Sequence, residues 1–382
     1  MMKTFKYILS TFLVIAVIWS CTDDELNNLD FLDTVVAPTN VDALFTITQD
    51  NSGLVSIIPS ADGAVQFDID YGDGSGSAVV KAGEESTHTY AEGNYSVNIA
   101  AKGVTGLTTS LAKDLMVSFQ APVFGTEPMI ENDVAVSKQV NVTVADDAQF
   151  AMYFDVYFVE DGIETILTGN VGSTVSYVYA NPGMVDVKVV LKGGAIETVE
   201  YVLEGFEVTA IIQPLASALK PPTRGEADVI SIYGDSYENV AGTDYFPDWG
   251  QAGQGSGWAT FDLDGDEMLQ YINLSYQGIA FGETVDVSGM EYLHMDVWTA
   301  DLPQIKTSLI NGVDGNSTEK EIASDLTIDE WTSIDIPISE YVDLGLSIDQ
   351  IFQLKFVGEP WASGTVFIDN IYFWRQETAV VQ

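Results

Sequence analysis

The sequence predicts an all-β protein: two small sandwiches in tandem, then a larger jelly-roll β-sandwich. Short runs rich in Val, Ile, Tyr and Thr alternate with polar residues and are separated by Gly, Asp and Asn turns, while no long stretch keeps a helical period. A pattern of strand and turn residues returns after about 90 residues, the size of one small sandwich. Finally, the paired prolines Pro221 and Pro222 precede a shift to Trp, Tyr, Gly and Asp that continues to Arg375.

In chain order, Lys3 and Lys6 precede an apolar run from Ile8 to Ile18. That run is short for a membrane span and suits the core of a signal peptide, residues 1–20. Cys21 follows at once and is the only cysteine of the chain, so it has no disulfide partner. The stretch Ile18-Trp19-Ser20-Cys21 resembles a bacterial lipoprotein cleavage site, although Trp19 departs from the usual small or aliphatic residue. The resemblance implies a lipid on Cys21 and an outer-membrane anchor. Thr22-Asp23-Asp24-Glu25 resembles the surface-export signal of lipoproteins in the Bacteroidota, which implies display toward the cell exterior. Residues 21–37 are expected to be an acidic tether.

The repeat defines domains at 38–119 and 120–212. Phe67 aligns with Phe154, and Tyr90 aligns with Tyr179. The first copy carries Asp70-Tyr71-Gly72-Asp73-Gly74-Ser75, then His88-Thr89-Tyr90 and Gly93-Asn94-Tyr95-Ser96-Val97. Gly72 and Gly74 suit a tight turn. Tyr90 suits a corner tyrosine whose hydroxyl bonds the backbone. These residues resemble a PKD domain, an immunoglobulin-like sandwich of bacterial surface proteins. The second copy keeps the Tyr and Pro-Gly elements without the Gly-Asp-Gly turn, and is PKD-like. Both are expected to act as spacers. Residues 213–225, with Pro214, Pro221 and Pro222, form a stiff linker.

The last domain is 226–376, with a short tail at 377–382. Six of the seven tryptophans lie in it: Trp249, Trp258, Trp298, Trp331, Trp361 and Trp374. Stretches such as Tyr245-Phe246-Pro247-Asp248-Trp249-Gly250-Gln251, Asn273-Leu274-Ser275-Tyr276-Gln277-Gly278 and Phe367-Ile368-Asp369-Asn370-Ile371-Tyr372-Phe373 resemble the carbohydrate-binding jelly rolls attached to glycanases and surface glycan-binding lipoproteins. The resemblance implies sugar binding without catalysis.

A pyranose ring stacks its apolar C–H face on an aromatic ring, and its hydroxyls need polar groups at the edge. Trp249 lies in a loop with Asp248 and Gln251 placed to bond hydroxyls. Trp361 lies in the turn Gly358-Glu359-Pro360-Trp361 and is a second candidate for exposure. Trp258 opens a strand and is either edge or core. Tyr276 and Gln277 could stack and hydrogen-bond together. Along Tyr292 to Trp298, Leu293, Met295 and Val297 share a core face, while His294, Asp296 and Trp298 lie opposite. That second face is either a sugar-binding surface or a second buried one. Trp331 is expected in the core. Asp235 and Asp369 are candidate ligands of a structural Ca2+, because such jelly rolls often bring their two ends together around one.

Charge bounds the partners. The chain has 14 Lys+Arg against 57 Asp+Glu, a formal charge of −43, and removal of Lys3 and Lys6 with the leader makes it more negative. Such a field repels nucleic acid and strongly anionic polysaccharides, and tolerates a neutral glycan. The arrangement resembles surface glycan-binding proteins of Bacteroidota polysaccharide-utilisation systems. That implies a neutral β-glucan such as laminarin as ligand and a SusC/SusD-like importer as partner. An adhesin binding protein or matrix, and a divergent glycanase, are the alternatives. His88 and His294 are the only histidines and fall in different domains; with so many carboxylates, chance pairs carry no weight for glycoside hydrolysis.

Overall fold

The computed structural model describes residues 35–313 and 316–376. The leader, Cys21, the tether through residue 34 and the tail 377–382 lie outside the described residues. The chain forms two compact units. Of the described residues, one holds 35–131, 141–177 and 185–206; the other holds 132–140, 178–184, 207–313 and 316–376.

The first sandwich has β1 (Thr39–Ile47), β2 (Leu54–Asp62), β3 (Ala64–Asp70), β4 (Ser77–Lys81), β5 (Ser86–Thr89), β6 (Gly93–Gly103) and β7 (Thr108–Val117). A three-stranded sheet β1-β2-β5 faces a four-stranded sheet β4-β3-β6-β7. Phe45 and Ile47, Val55 and Ile57, Phe67 and Ile69, Val97 and Ile99 fill the core between them. Each pair is two residues apart, the period of a strand with one buried face. Gly72 has φ +73, and a Cβ there would stand 2.1 Å from the Ser96 carbonyl oxygen, so only glycine fits. The Tyr90 hydroxyl donates to the Tyr71 carbonyl at 3.1 Å, the corner expected from its position. His88 stacks on Tyr71 with centroids 4.0 Å apart. Its Nε2 faces both Asp73, at 2.8 Å, and Ser75, at 3.2 Å. The Ser75 hydroxyl also donates to Asp73 Oδ1 at 2.5 Å, so the three side chains brace the turn.

The second sandwich has β8 (Met129–Asn132), β9 (Gln139–Thr143), β10 (Tyr153–Glu160), β11 (Ile163–Asn170), β12 (Thr174–Val178), β13 (Gly183–Lys192) and β14 (Val199–Val208). Its sheets run β11-β10-β13-β14 and β12-β9-β8. Where the first copy uses a Gly-Asp-Gly loop, the β10–β11 hairpin turns on Asp161 and Gly162, both at positive φ, the geometry of a tight two-residue hairpin. Within the first unit, Asn170 reaches β1. Its Oδ1 accepts the Phe45 amide at 3.0 Å and its Nδ2 donates to the Phe45 carbonyl at 2.6 Å. The Tyr153 hydroxyl donates to the Ile47 carbonyl at 3.0 Å. The two sandwiches are thus joined by buried, satisfied polar contacts, which are costly to open.

The C-terminal sandwich has β15 (Val229–Tyr233), β16 (Gly257–Leu263), β17 (Asp266–Ile272), β18 (Tyr276–Val285), β19 (Tyr292–Thr299), β20 (Gln304–Val313), β21 (Asn316–Asp325), β22 (Trp331–Pro337), helix α1 (Ile338–Asp343), β23 (Ile351–Glu359) and β24 (Thr365–Trp374). A six-stranded sheet runs β16-β17-β24-β19-β22, with β15 also paired to β24; the other sheet runs β18-β23-β20-β21. Between them pack Tyr271, Ile279, Met295, Leu309, Phe356 and Ile368 with their neighbours. The alternation that marked Leu293, Met295 and Val297 as core holds: all three are fully buried there.

Candidate functional site

The outward face of the four-stranded sheet begins with β18. Ile279 and Phe281 point into the core, so Tyr276, Gly278 and Ala280 point away from it. The ring of Trp249 lies on Gly278. A Cβ on that glycine would stand 1.9 Å from two of the ring carbons; the strand leaves a gap that the indole fills. The loop holding Trp249 is tied in several places. The Trp249 amide donates to Gln251 Oε1 at 2.6 Å, and Gly250 turns at φ +86. The Tyr276 hydroxyl donates to the Trp249 carbonyl at 2.9 Å. Gln251 Nε2 donates to the Pro247 carbonyl and to Gln277 Oε1, both at 2.8 Å. Trp249 is half-buried.

Tyr276 in turn meets Trp361, with ring centroids 5.9 Å apart and planes tilted by 40°. Trp361 is 53% exposed, the most exposed aromatic among the described residues. Its loop is anchored where the Ala362 amide donates to the Leu274 carbonyl at 3.2 Å. Trp249, Tyr276 and Trp361 therefore form one aromatic group at the end of the outward face.

Polar side chains continue across the sheet. Gly278 pairs with Lys355, and Lys355 pairs with Ser308. The Lys355 ammonium bonds the Glu319 carboxylate, and the Ser308 hydroxyl donates to the same carboxylate oxygen at 2.7 Å. Lys306 is held 2.8 Å from Glu359. Burial would raise the Glu319 pKa, but the bonds from Lys355 and Ser308 outweigh it and hold it below the usual carboxylate range. The face offers ammonium and carboxylate groups whose charges already cancel in pairs, while Ser308 is buried beneath them.

Two expected polar ligands are placed elsewhere. Gln251 and Gln277 are 0% and 1% exposed. They bond each other and the loop backbone, so they position Trp249 and present nothing to a sugar. Tyr276 and Gln277 cannot act on one ligand, because adjacent strand residues face opposite ways. Asp248 is exposed, and its Oδ1 accepts the Gly250 amide at 2.9 Å. Trp258, on edge strand β16, packs against the core and lies at the sandwich edge.

The His294–Trp298 face of the other sheet is covered. Trp298 is 4% exposed and packs with Met268 and Phe367, with Ile211 and Trp331 against them. Trp331 is half-buried, not core, and its Nε1 donates to the Ala216 carbonyl at 2.7 Å. Arg224 lies 3.8 Å over the Trp374 ring. The Tyr237 hydroxyl bonds the Pro222 carbonyl. The segment expected to be a linker thus lies on this sheet, and of the two readings of the face the buried one holds.

His294 is consistent with that. Its Nδ1 donates to Asp335 at 2.9 Å, its Nε2 is 3.5 Å from Asp296, and its ring stacks on Tyr372. The Trp374 indole N–H donates to the same Asp335 oxygen, and Asn370 and Ser333 donate to Asp296. Burial would lower the His294 pKa, but the bonds to Asp296 and Asp335 prevail and raise it to about 9. The imidazolium is therefore part of the fold at neutral pH. Because the folded value lies above the ordinary 6.5, its stabilisation is complete below pH 6.5 and is lost as pH rises through 9. Thermal melts should show the midpoint falling across that window, and His294→Gln should flatten this limb. An unchanged slope in the variant would remove His294 from the account.

Asp235 and Asp369 do meet, bordering a cavity of about 250 Å³ together with Asp266, Asn370 and Lys220. Burial raises the Asp369 pKa to about 7, aided by Asp266, Asp296 and Asp235. Among the described residues, no three or more His, Cys, Asp or Glu side chains are placed to hold a metal ion. With an ammonium in the lining and no such group of ligands placed there, the residues as arranged do not fit a calcium site.

No family model matches the chain. No curated protein matches it either. Similar solved structures include the family 30 carbohydrate-binding module of cellulosomal cellulase Cel9D-Cel44B of Clostridium thermocellum, at 13% identity over 39% of this chain and 99% of that one, with a TM-score of 0.30. Another is the family 11 module from Clostridium thermocellum in complex with a β-1,3-1,4-mixed-linked tetrasaccharide, at 15% identity over 38% of this chain and 95% of that one, with a TM-score of 0.28. The argument for a ligand rests on the residues of the outward face.

Proposed function

We propose that this protein is a non-catalytic, cell-surface glycan-binding protein whose C-terminal sandwich holds a neutral β-glucan of the laminarin type. The observation that carries the reading is the seating of Trp249: a ring packed against Gly278, on a loop whose backbone Gln251 and Tyr276 fix, beside the exposed Trp361. A stacking ring fixed before the ligand arrives loses little freedom on binding. Its neighbours Tyr276 and Trp361 extend the apolar surface to more than one sugar, and Asp248 and the polar strip supply hydroxyl partners at the edge. Lys306 and Lys355 are already paired with carboxylates, so an anionic chain gains no free cation while it meets a strongly negative protein. In this reading Cys21 carries the lipid anchor, the first two sandwiches are spacers, and a SusC/SusD-like importer receives the captured glycan.

Affinity electrophoresis of the full chain is the test. Laminarin in the gel should slow its migration, and alginate should not. Equal migration in both gels and in a panel of neutral glucans would sink the proposal and leave the adhesin reading in its place.

A further inference from the structure

A second aromatic ring stands on the same outward face, away from the Trp249 group. Strand β23 is irregular at its start. Ile310 of β20 pairs with Gln353, and the next residue, Asn311, pairs with Ile351, which leaves Phe352 unmatched. An extra residue of this kind re-aims its side chain. Phe352 is half-buried and is not among the residues packed on the core. Its ring rests instead on Gly312 of β20, where a Cβ would stand 2.7 Å from a ring carbon. Gly312 alternates with Ser308 and Ile310, on the face away from the core residues Ile305 and Leu309. Phe352 therefore repeats on β20 the arrangement that Trp249 makes on β18.

The spacing follows from register. Gly278 is level with Lys355 and Ser308, while Gly312 is farther along β20 and two strands across. Strands lie about 4.8 Å apart and rise about 3.4 Å per residue, which puts the two glycines roughly 16 Å apart. Gln353 and Lys355 lie between them, and the Glu319 carboxylate reaches Lys355 from β21.

We infer that Phe352 is a second stacking platform for the same glucan chain. The chain crosses the sheet diagonally, stacks at both ends, and meets the Lys355–Glu319 pair with its hydroxyls in between. This inference rests on the glycan reading above and adds a length requirement: a disaccharide fills one platform, and only a longer oligosaccharide reaches both.

Isothermal titration of the full chain with laminaribiose and laminarihexaose tests this. Phe352→Ala should weaken hexaose binding at least about fivefold, the scale of a modest hot spot, and leave biose binding unchanged. Phe352→Tyr should restore the hexaose affinity. Gly312→Ala keeps the ring but pushes it off its seat, so it should act like Phe352→Ala even if the latter folds poorly. If Trp249→Ala loses hexaose binding while Phe352→Ala and Gly312→Ala bind it like the parent, the second platform is refuted and the glycan reading stands. If the parent binds neither sugar, the glycan reading fails and takes this inference with it.

Discussion

Replacing Trp298 by Ala is expected to destabilise the C-terminal sandwich by about 3–5 kcal/mol, read from denaturant midpoints. The indole is 4% exposed and lies among Met268, Phe367, Trp331 and Ile211. Phe367 meets it edge-on at 5.6 Å. Removing it leaves a cavity beneath the Pro-containing segment, whose restricted backbone limits collapse into the space. Trp331→Ala should cost less, because Trp331 is half-buried and loses mainly its packing and one hydrogen bond to Ala216. Equal effects of the two substitutions would mean that residues 211–225 do not cover Trp298 in solution.

Trp249→Ala should have the opposite profile. Laminarin affinity is expected to fall at least tenfold, about 1.4 kcal/mol, with little change in the melting temperature, since the ring lies on the outside of the sheet. Gly278→Ala is the matching test. Gly278 is not at positive φ, so the backbone accepts alanine, but the methyl would collide with the indole at 1.9 Å. It should lose affinity to a similar degree with every aromatic still present. If both variants titrate like the parent, the aromatic end of the sheet is structural and the ligand lies elsewhere.

Much of the fold was legible because alternation is local. The core face of β19, the turn at Gly72 and the corner at Tyr90 were all read from local residue patterns. The site was legible in part. Trp249, Tyr276 and Trp361 were all candidates, and the structure brings them together. Gln277 was misjudged because it follows Tyr276, and neighbours on a strand face opposite sides. Phe352 was missed because a bulge breaks the period that sequence reading relies on. The burial of His294 and Trp298 depends on contacts such as Asn370 with Leu219, 151 residues apart. A face can be read as aromatic and polar from its strand, but what covers it is decided by a segment far away in sequence.

The covering of that sheet by residues 211–225 has a consequence for valency. A β-sandwich has two outward faces, and here one is occupied by the chain itself. If the glycan reading holds, the domain offers a single face and grips a polymer at one place per molecule. Against a polysaccharide with many identical segments, tight retention has to come from numbers: many copies side by side, each rebinding before the others let go. A soluble monomer would release the polymer quickly, whereas a dense lawn of the same molecule would hold it.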